Sequence, residues 1–326
     1  MFLGYNTNGF AHHRLEDAVD LLAELGYKGL GLTADFHTVD PLTRNWRDRA
    51  VRLRKHLREV RMRAVVETGA RFILDPKRKH QPTLLDPDRH KALDRLHYLE
   101  ACIELAVEID EGVVSFWSGA APPDIPPKIL MARLVESCQR LCHFAGDRKV
   151  RLAFEPEPGM FIDTMDKFGE LCEKVNHPSF GLTLDVGHAQ CLGELPVSDH
   201  IRKWQDKLFN VHIEDMKRGV HEHLMFGEGE VDFADVFKAL DEVGYSRGVY
   251  VELSRHSHDA VETAKRAIAF LGPFAGEKEK ARPKPFAGDP AAPRTPVSAE
   301  EEEAAGVLDG QENSIGRGTE VLRTDD

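Results

Sequence analysis

Residues 180–188 read FGLTLDVGH, an apolar run that stops abruptly at Asp185 and His188. A strand apolar on both faces is buried on both faces, as in a parallel sheet covered by helices. Three further runs share this form: VRLAFEPE (150–157) reaches Glu155 and Glu157, LFNVHIED (208–215) reaches His212, Glu214 and Asp215, and GVYVELSR (248–255) reaches Glu252. Upstream, MFLGYN (1–6), GLGLTADF (29–36), RAVVETGA (63–70) and GVVSFWSG (112–119) complete eight strand candidates. Stretches with helical spacing lie between them: 15–26, which stops at Gly26, 87–109, 233–244, and 259–272 at the end. Alternating βα units predict an α/β fold, a (β/α)8 TIM barrel over residues 1–272. A doubly wound open sheet would carry a glycine-rich phosphate loop after an early strand. The glycines of GYKGLGLTAD (26–35) precede the strand or lie within it, so they do not make that loop.

From residue 273 the chain is rich in Pro, Gly, Ala and charge without periodicity, including the acidic run Glu300–Glu303. It offers too little apolar surface to offset its ordering entropy, which predicts a disordered tail over 273–326. The chain of 326 residues carries a net charge of −12, which disfavours a nucleic-acid partner. It has no run of about 20 apolar residues, so no membrane partner is expected. The first residues lack the basic and apolar regions of a secretory signal. Five cysteines, with no CxxC pair, fit a reducing compartment. The location expected is cytoplasmic.

In a barrel the C-terminal strand ends share one rim, where active sites lie. Four consecutive strands thus deliver carboxylates or imidazoles to one place. Close, buried carboxylates repel each other unless a cation joins them. Two Glu, one Asp and one His form a mostly hard oxygen set, suited to Mn2+, Mg2+, Co2+ or Zn2+. Each residue alone has a plainer reading: a solvated Glu252, a half-buried His212, an Asp185 that only caps the next helix. Their arrival in register on adjacent strands favours the joint reading.

The series Glu155, Asp185-x-x-His188, His212 and Glu252 resembles the xylose isomerase-like sugar-phosphate isomerase/epimerase superfamily, which includes ketose 3-epimerases, inosose dehydratase-like proteins and endonuclease-IV-type AP endonucleases. The resemblance spans residues 1–272 and is strongest from residue 150. It implies a divalent metal held by Glu155, Asp185, His212 and Glu252. It implies His188 and Arg218 as substrate contacts, with Glu157 a further candidate. It implies a carbohydrate substrate, and proton transfer by Glu155 and Glu252 through a metal-stabilised enediolate. Members are often dimers or tetramers, which leaves room for a homo-oligomer. In the nuclease branch the positions of His188, His221 and His223 hold an extra metal. The resemblance thus leaves two readings for His221 and His223, a second zinc site with His188 or a loop that closes over substrate.

The alternative functions are a metal-dependent hydrolase of the AP endonuclease type and a non-catalytic metal- or sugar-binding barrel. The nucleases also need histidines after strands three and four, where this chain has Glu67 and Trp117. Asn6, Asn8, His12, His13 and His37 are expected near the rim as polar loop residues, with substrate contact the less expected role. Glu67 is read the same way, and Trp117 as a wall of the pocket.

Overall fold

A computed structural model of the protein describes residues 1–276. Ten strands are found among them: β1 (Phe2–Asn6), β2 (Gly29–Thr33), β3 (Arg63–Glu67), β4 (Val113–Phe116), β5 (Arg151–Phe154), β6 (Phe180–Asp185), β7 (Leu208–Ile213), β8 (Asp215–Lys217), β9 (Val220–Leu224) and β10 (Gly248–Val251). Eight are parallel and close a barrel in the order β1-β10-β7-β6-β5-β4-β3-β2. The helices between them are α1 (Leu15–Glu24), α2 (Trp46–Glu59), α3 (Arg89–Glu108), α4 (Pro127–Asp147), α5 (Met165–Val175), α6 (Val186–Leu192), α7 (Val197–Lys203), α8 (Phe233–Glu242) and α9 (Ala260–Ala275). This is the (β/α)8 barrel expected from the alternating runs. No helix among the described residues is long and apolar enough to cross a membrane.

The early glycines have a packing role. A Cβ at Gly4 would lie 2.3 Å from the Tyr250 ring, one at Gly29 2.9 Å from it, and one at Gly181 2.5 Å from the Phe209 ring. These aromatics join Val65, Val113 and Ala153 in an apolar cluster at the N-terminal end of the barrel. The glycines are therefore the small partners of large inward-facing rings, as a closed barrel requires.

Two features depart from the sequence reading. The stretch after His212 is not an irregular loop: β8 and β9 pair antiparallel, and the Gly219 amide donates to the Cys191 carbonyl at 2.8 Å, docking the hairpin on α6. The last helix also runs past Gly272 to Ala275, with Pro273 inside it. The Phe274 ring packs against Phe233, Phe237 and Phe270 at centroid distances of 6.4, 6.0 and 5.9 Å, enough apolar contact to carry the helix on. The rest of the predicted disordered tail, from residue 277, lies outside the described residues.

Candidate metal and active site

Register builds the site. Asp185 of β6 pairs with His212 of β7, and His212 with Tyr250 of β10, so Glu252 follows at the next inward position. Glu155 directly follows β5. Glu155, Asp185, His212 and Glu252 each offer a ligand atom, and these atoms lie within 4.8 Å of one another. His212 Nδ1 faces Glu155 Oε1 at 3.1 Å, Glu252 Oε2 at 3.0 Å and Asp185 Oδ2 at 4.0 Å. The Nε2 of the same ring meets Glu67 Oε1 at 2.9 Å. With its proton on Nε2, His212 donates to Glu67 and leaves Nδ1 free to ligate, the outer carboxylate arrangement common around metal-bound histidines. Asn210 Nδ2 also donates to Glu67 Oε1 at 3.0 Å, and Asn8 Nδ2 donates to Glu252 Oε1 at 2.9 Å.

Asp185 divides its oxygens. Oδ1 caps α6, accepting from the His188 amide at 2.7 Å. Oδ2 is buried and has no hydrogen-bond partner. A buried carboxylate oxygen aimed into a cluster of three carboxylates and one imidazole fits a hard divalent cation. Beside it Glu214 is wholly buried, with the carboxyl oxygens short of donors. Burial and then Asp185 push its pKa well up. Gly187 makes the space, since a Cβ there would sit 2.0 Å from Glu214 Oε1.

The remaining shifts describe a crowded acid site. Burial, the largest influence, raises Glu155 well above the carboxylate range, although His212 pulls the other way. Burial opposes the charge of His212, yet Glu67, Glu155 and Glu252 hold its pKa well above that of an ordinary histidine. Burial likewise opposes Glu252 and Asp185, but His212 chiefly in the first case and His188 in the second keep both below the usual range. Glu157, half-buried, is pushed up to about 8 by burial, Glu252 and Asp185, and so feels the cluster.

His188 stands behind Asp185, its Nδ1 3.8 Å from Oδ2 and 3.7 Å from Glu155 Oε1. Its Nε2 is 3.1 Å from His221 Nε2. Because β9 is extended, His221 and His223 project to one side. His188, His221 and His223 form a second set with ligand atoms within 4.8 Å. Burial, Asp185 notwithstanding, brings the His188 pKa down to about 4.

Arg218 is placed differently from the expected substrate contact. It sits exposed in the β8–β9 turn, its Nε 2.8 Å from where a Gly193 Cβ would be, at the end of α6. Asp215 is a scaffold residue: its carboxylate accepts from the amides of Met216 at 3.0 Å, Gly227 at 2.8 Å, Gly229 at 2.9 Å and Val231 at 3.1 Å. That explains the GEGEV run, because a Cβ at Gly229 would lie 2.2 Å from Asp215 Oδ1. Asn6 is buried against Gly31. His37 lies 3.9 Å from Asp35, and Trp117 stacks edge-on with His80 at 5.3 Å. His13 packs on Phe10, while His12 is exposed. Sequence reasoning passed over Asn210 and named Glu214 only as a strand-end acid without a role, although both share the strand parity of His212, the signal that places them on its face.

Known proteins share this fold. Fructoselysine 3-epimerase from Shigella flexneri is 26% identical over 170 residues, 51% of this chain and 61% of its own length. An uncharacterized protein from Methanocaldococcus jannaschii is 26% identical over 189 residues, 55% of this chain and 64% of its own. The chain thus spans less than two thirds of either. The match to L-ribulose-5-phosphate 3-epimerase UlaE from Escherichia coli is longer, 25% over 255 residues, covering 76% of this chain and 86% of the other. Among solved structures, D-allulose 3-epimerase from Methylomonas sp. in complex with D-allulose superposes with a TM-score of 0.66 at 18% identity, over 84% of this chain and 97% of that one. The IolI protein with a bound zinc atom gives 0.68 at 19% identity, over 84% and 98%. At these identities the structures show a shared fold. Residues 12–274 match the family described as xylose isomerase-like TIM barrel, and the chain belongs to that family.

Proposed function

We propose that the protein is a divalent-metal-dependent isomerase or epimerase of a sugar, sugar phosphate or polyol. The observation that carries this reading is the convergence of Glu155, Asp185, His212 and Glu252, with one buried Asp185 oxygen left without a partner. The epimerases and the inosose dehydratase from Clostridium beijerinckii among its relatives support the same class. A bound ion would hold two substrate oxygens and polarise the carbonyl between them. Glu155 and Glu252 come from β5 and β10, three strands apart in the barrel order, and so reach a substrate from different sides. One removes the proton beside the carbonyl and the other returns it, to the opposite face for epimerisation or to the neighbouring carbon for isomerisation. Asn8 orients Glu252 for that task, and Glu67 orients His212. His188 and Glu157 line the same space as substrate contacts. Five free cysteines fit a reducing, cytoplasmic setting.

The test is mass-spectrometric metal analysis, followed by a substrate screen in deuterium oxide with the identified ion. Solvent deuterium should enter a ketose, inosose or related substrate at the carbon beside the carbonyl. No incorporation across the panel, with metal bound, would defeat the proton-transfer reading and favour a binding barrel. Cleavage of an abasic-site duplex would favour the hydrolase. The three-histidine set gives ground for a second ion, since three imidazoles with an open fourth position suit zinc. Metal per chain at saturation should fall from two to one in the His221→Ala/His223→Ala variant. One metal in both, with a raised KM in the variant, would make the hairpin a closing element instead.

A further inference from the structure

Three cations stand at the mouth of the site, and among the described residues only Arg255 has an ion pair, with Glu222. Residues 71–80 fold back so that the His80 amide donates to the Arg71 carbonyl at 2.6 Å, which sets Lys79 beside Arg71. Arg71 Nη2 reaches the Ser254 carbonyl at 3.5 Å. Ser254 directly precedes Arg255 and lies two residues beyond Glu252. Arg71, Lys79 and Arg255 therefore gather where the segments that follow β3 and β10 meet, on the rim that carries Glu252. The segment is anchored rather than adrift: buried Arg95 donates to the carbonyls of His80 and Pro82, both at 2.8 Å, and the His80 ring packs on Trp117.

The charges act on one another. Burial first, then Arg71, lowers the Lys79 pKa; Glu157 opposes and Arg255 adds to the fall. His80 is brought down to about 4 by burial, Lys79, Arg95 and Arg71. Neighbouring Arg78 is neutralised by Asp75 at 2.6 Å. Arg255 meets Glu222 only at 3.6 Å, and neither Arg71 nor Lys79 has an ion pair among the described residues. In a chain of net charge −12, whose site is itself lined with carboxylates, such a local excess of cations reverses the field for an incoming anion.

We propose that Arg71, Lys79 and Arg255 bind the terminal phosphate of a phosphorylated ketose whose carbonyl end lies at Glu155 and Glu252. This rests on the isomerase or epimerase reading and narrows its substrate class. Three cations match a dianionic phosphate better than a single carboxylate, and the arginine forks suit its oxygens. The role expected for exposed Arg218 passes to these residues.

The experiment measures binding as well as turnover on the full, Mn2+-loaded chain. Calorimetry compares fructose with fructose 6-phosphate, ribulose with ribulose 5-phosphate, and a sugar acid of similar length. The phosphorylated member of each pair should bind tighter by about tenfold or more, and the advantage should shrink as salt rises. Arg71→Ala/Lys79→Ala should bring the ratio close to one. Arg78→Ala, whose charge is already paired, should keep it. Equal binding of neutral and phosphorylated sugars, a ratio untouched by the double variant, or a larger gain for the sugar acid would each overturn the proposal. Turnover of free ketoses with no phosphate preference would sink this inference and leave the isomerase reading standing. Variant-sensitive phosphate binding without deuterium exchange would do the reverse.

Discussion

At the scale of single residues, the plain expectation for Asp185, a helix cap, leaves room for its proposed role as a ligand, because the two oxygens are used separately. Oδ1 caps α6 while Oδ2 faces the cluster. Asp185→Asn keeps the shape and can keep the cap, but replaces the anionic ligand. Metal affinity should fall at least as far as the roughly 10–100-fold seen when outer-shell partners are lost, with the barrel still folded by circular dichroism. Full metal occupancy and normal turnover would remove Asp185 from the site. Glu67 acts one step further out. Glu67→Gln withdraws the charge that fixes the His212 proton on Nε2, so metal should bind roughly 10–100-fold more weakly. Unchanged affinity in a metal titration would show that Glu67 is only a packing partner. The four inner residues were legible in the sequence because each lies in the last two positions of an apolar strand or directly after it. Glu67 was not, because it meets His212 across 145 positions of sequence. A carboxylate at a strand end reads alike whether it ligates, orients a ligand or faces water.

Elements show the same division. The eight barrel strands and four of the helices, α1, α3, α8 and α9, follow from apolar runs and helical spacing, whereas the hairpin β8–β9 does not. VHEHL in β9 is mostly exposed and polar, with no buried face to reveal a strand. What organises it is tertiary: Asp215 collecting four amides and Gly219 bonding to α6. The fold-back of residues 71–80 escaped for the same reason, since its anchor, Arg95, belongs to α3. The end of α9 is a third case. Gly272 and Pro273 are reasonable stop signals, but Phe274 packs on the aromatic cluster and outweighs them. A chain cut after Gly272 loses that ring, worth about 1–2 kcal/mol of apolar burial. It should melt a few degrees below a chain cut after Gly276. Coincident melting curves would mean that the last turn contributes nothing to the core.

For the whole molecule, a barrel that concentrates carboxylates at one end must manage their charge with protons or with a cation. Without an ion, His212 keeps its proton because Glu67, Glu155 and Glu252 outweigh its burial, and Glu155 and Glu214 are pushed up by burial. An ion needs these ligands deprotonated, so binding must expel protons. Calorimetric titration with Mn2+ at pH 7, repeated in two buffers of different ionisation enthalpy, should report release of about one proton or more per ion. The sign for stability follows. The raised groups hold extra protons in the folded, metal-free state. Their contribution therefore weakens as pH rises from the unfolded values, about 4.3 for Glu and 6.5 for His, through the higher folded ones. Binding of the ion strengthens over the same interval, because fewer protons compete with it. The melting-temperature gap between Mn2+-loaded and chelator-treated protein should thus widen between about pH 5.5 and 7.5. His188 lies near the ligands with its pKa brought down to about 4, so it is largely neutral throughout that window and does not reverse the trend. A gap that narrows with rising pH, or metal binding that releases no protons, would mean that the cluster is already ionised and that its carboxylates do not share the ion.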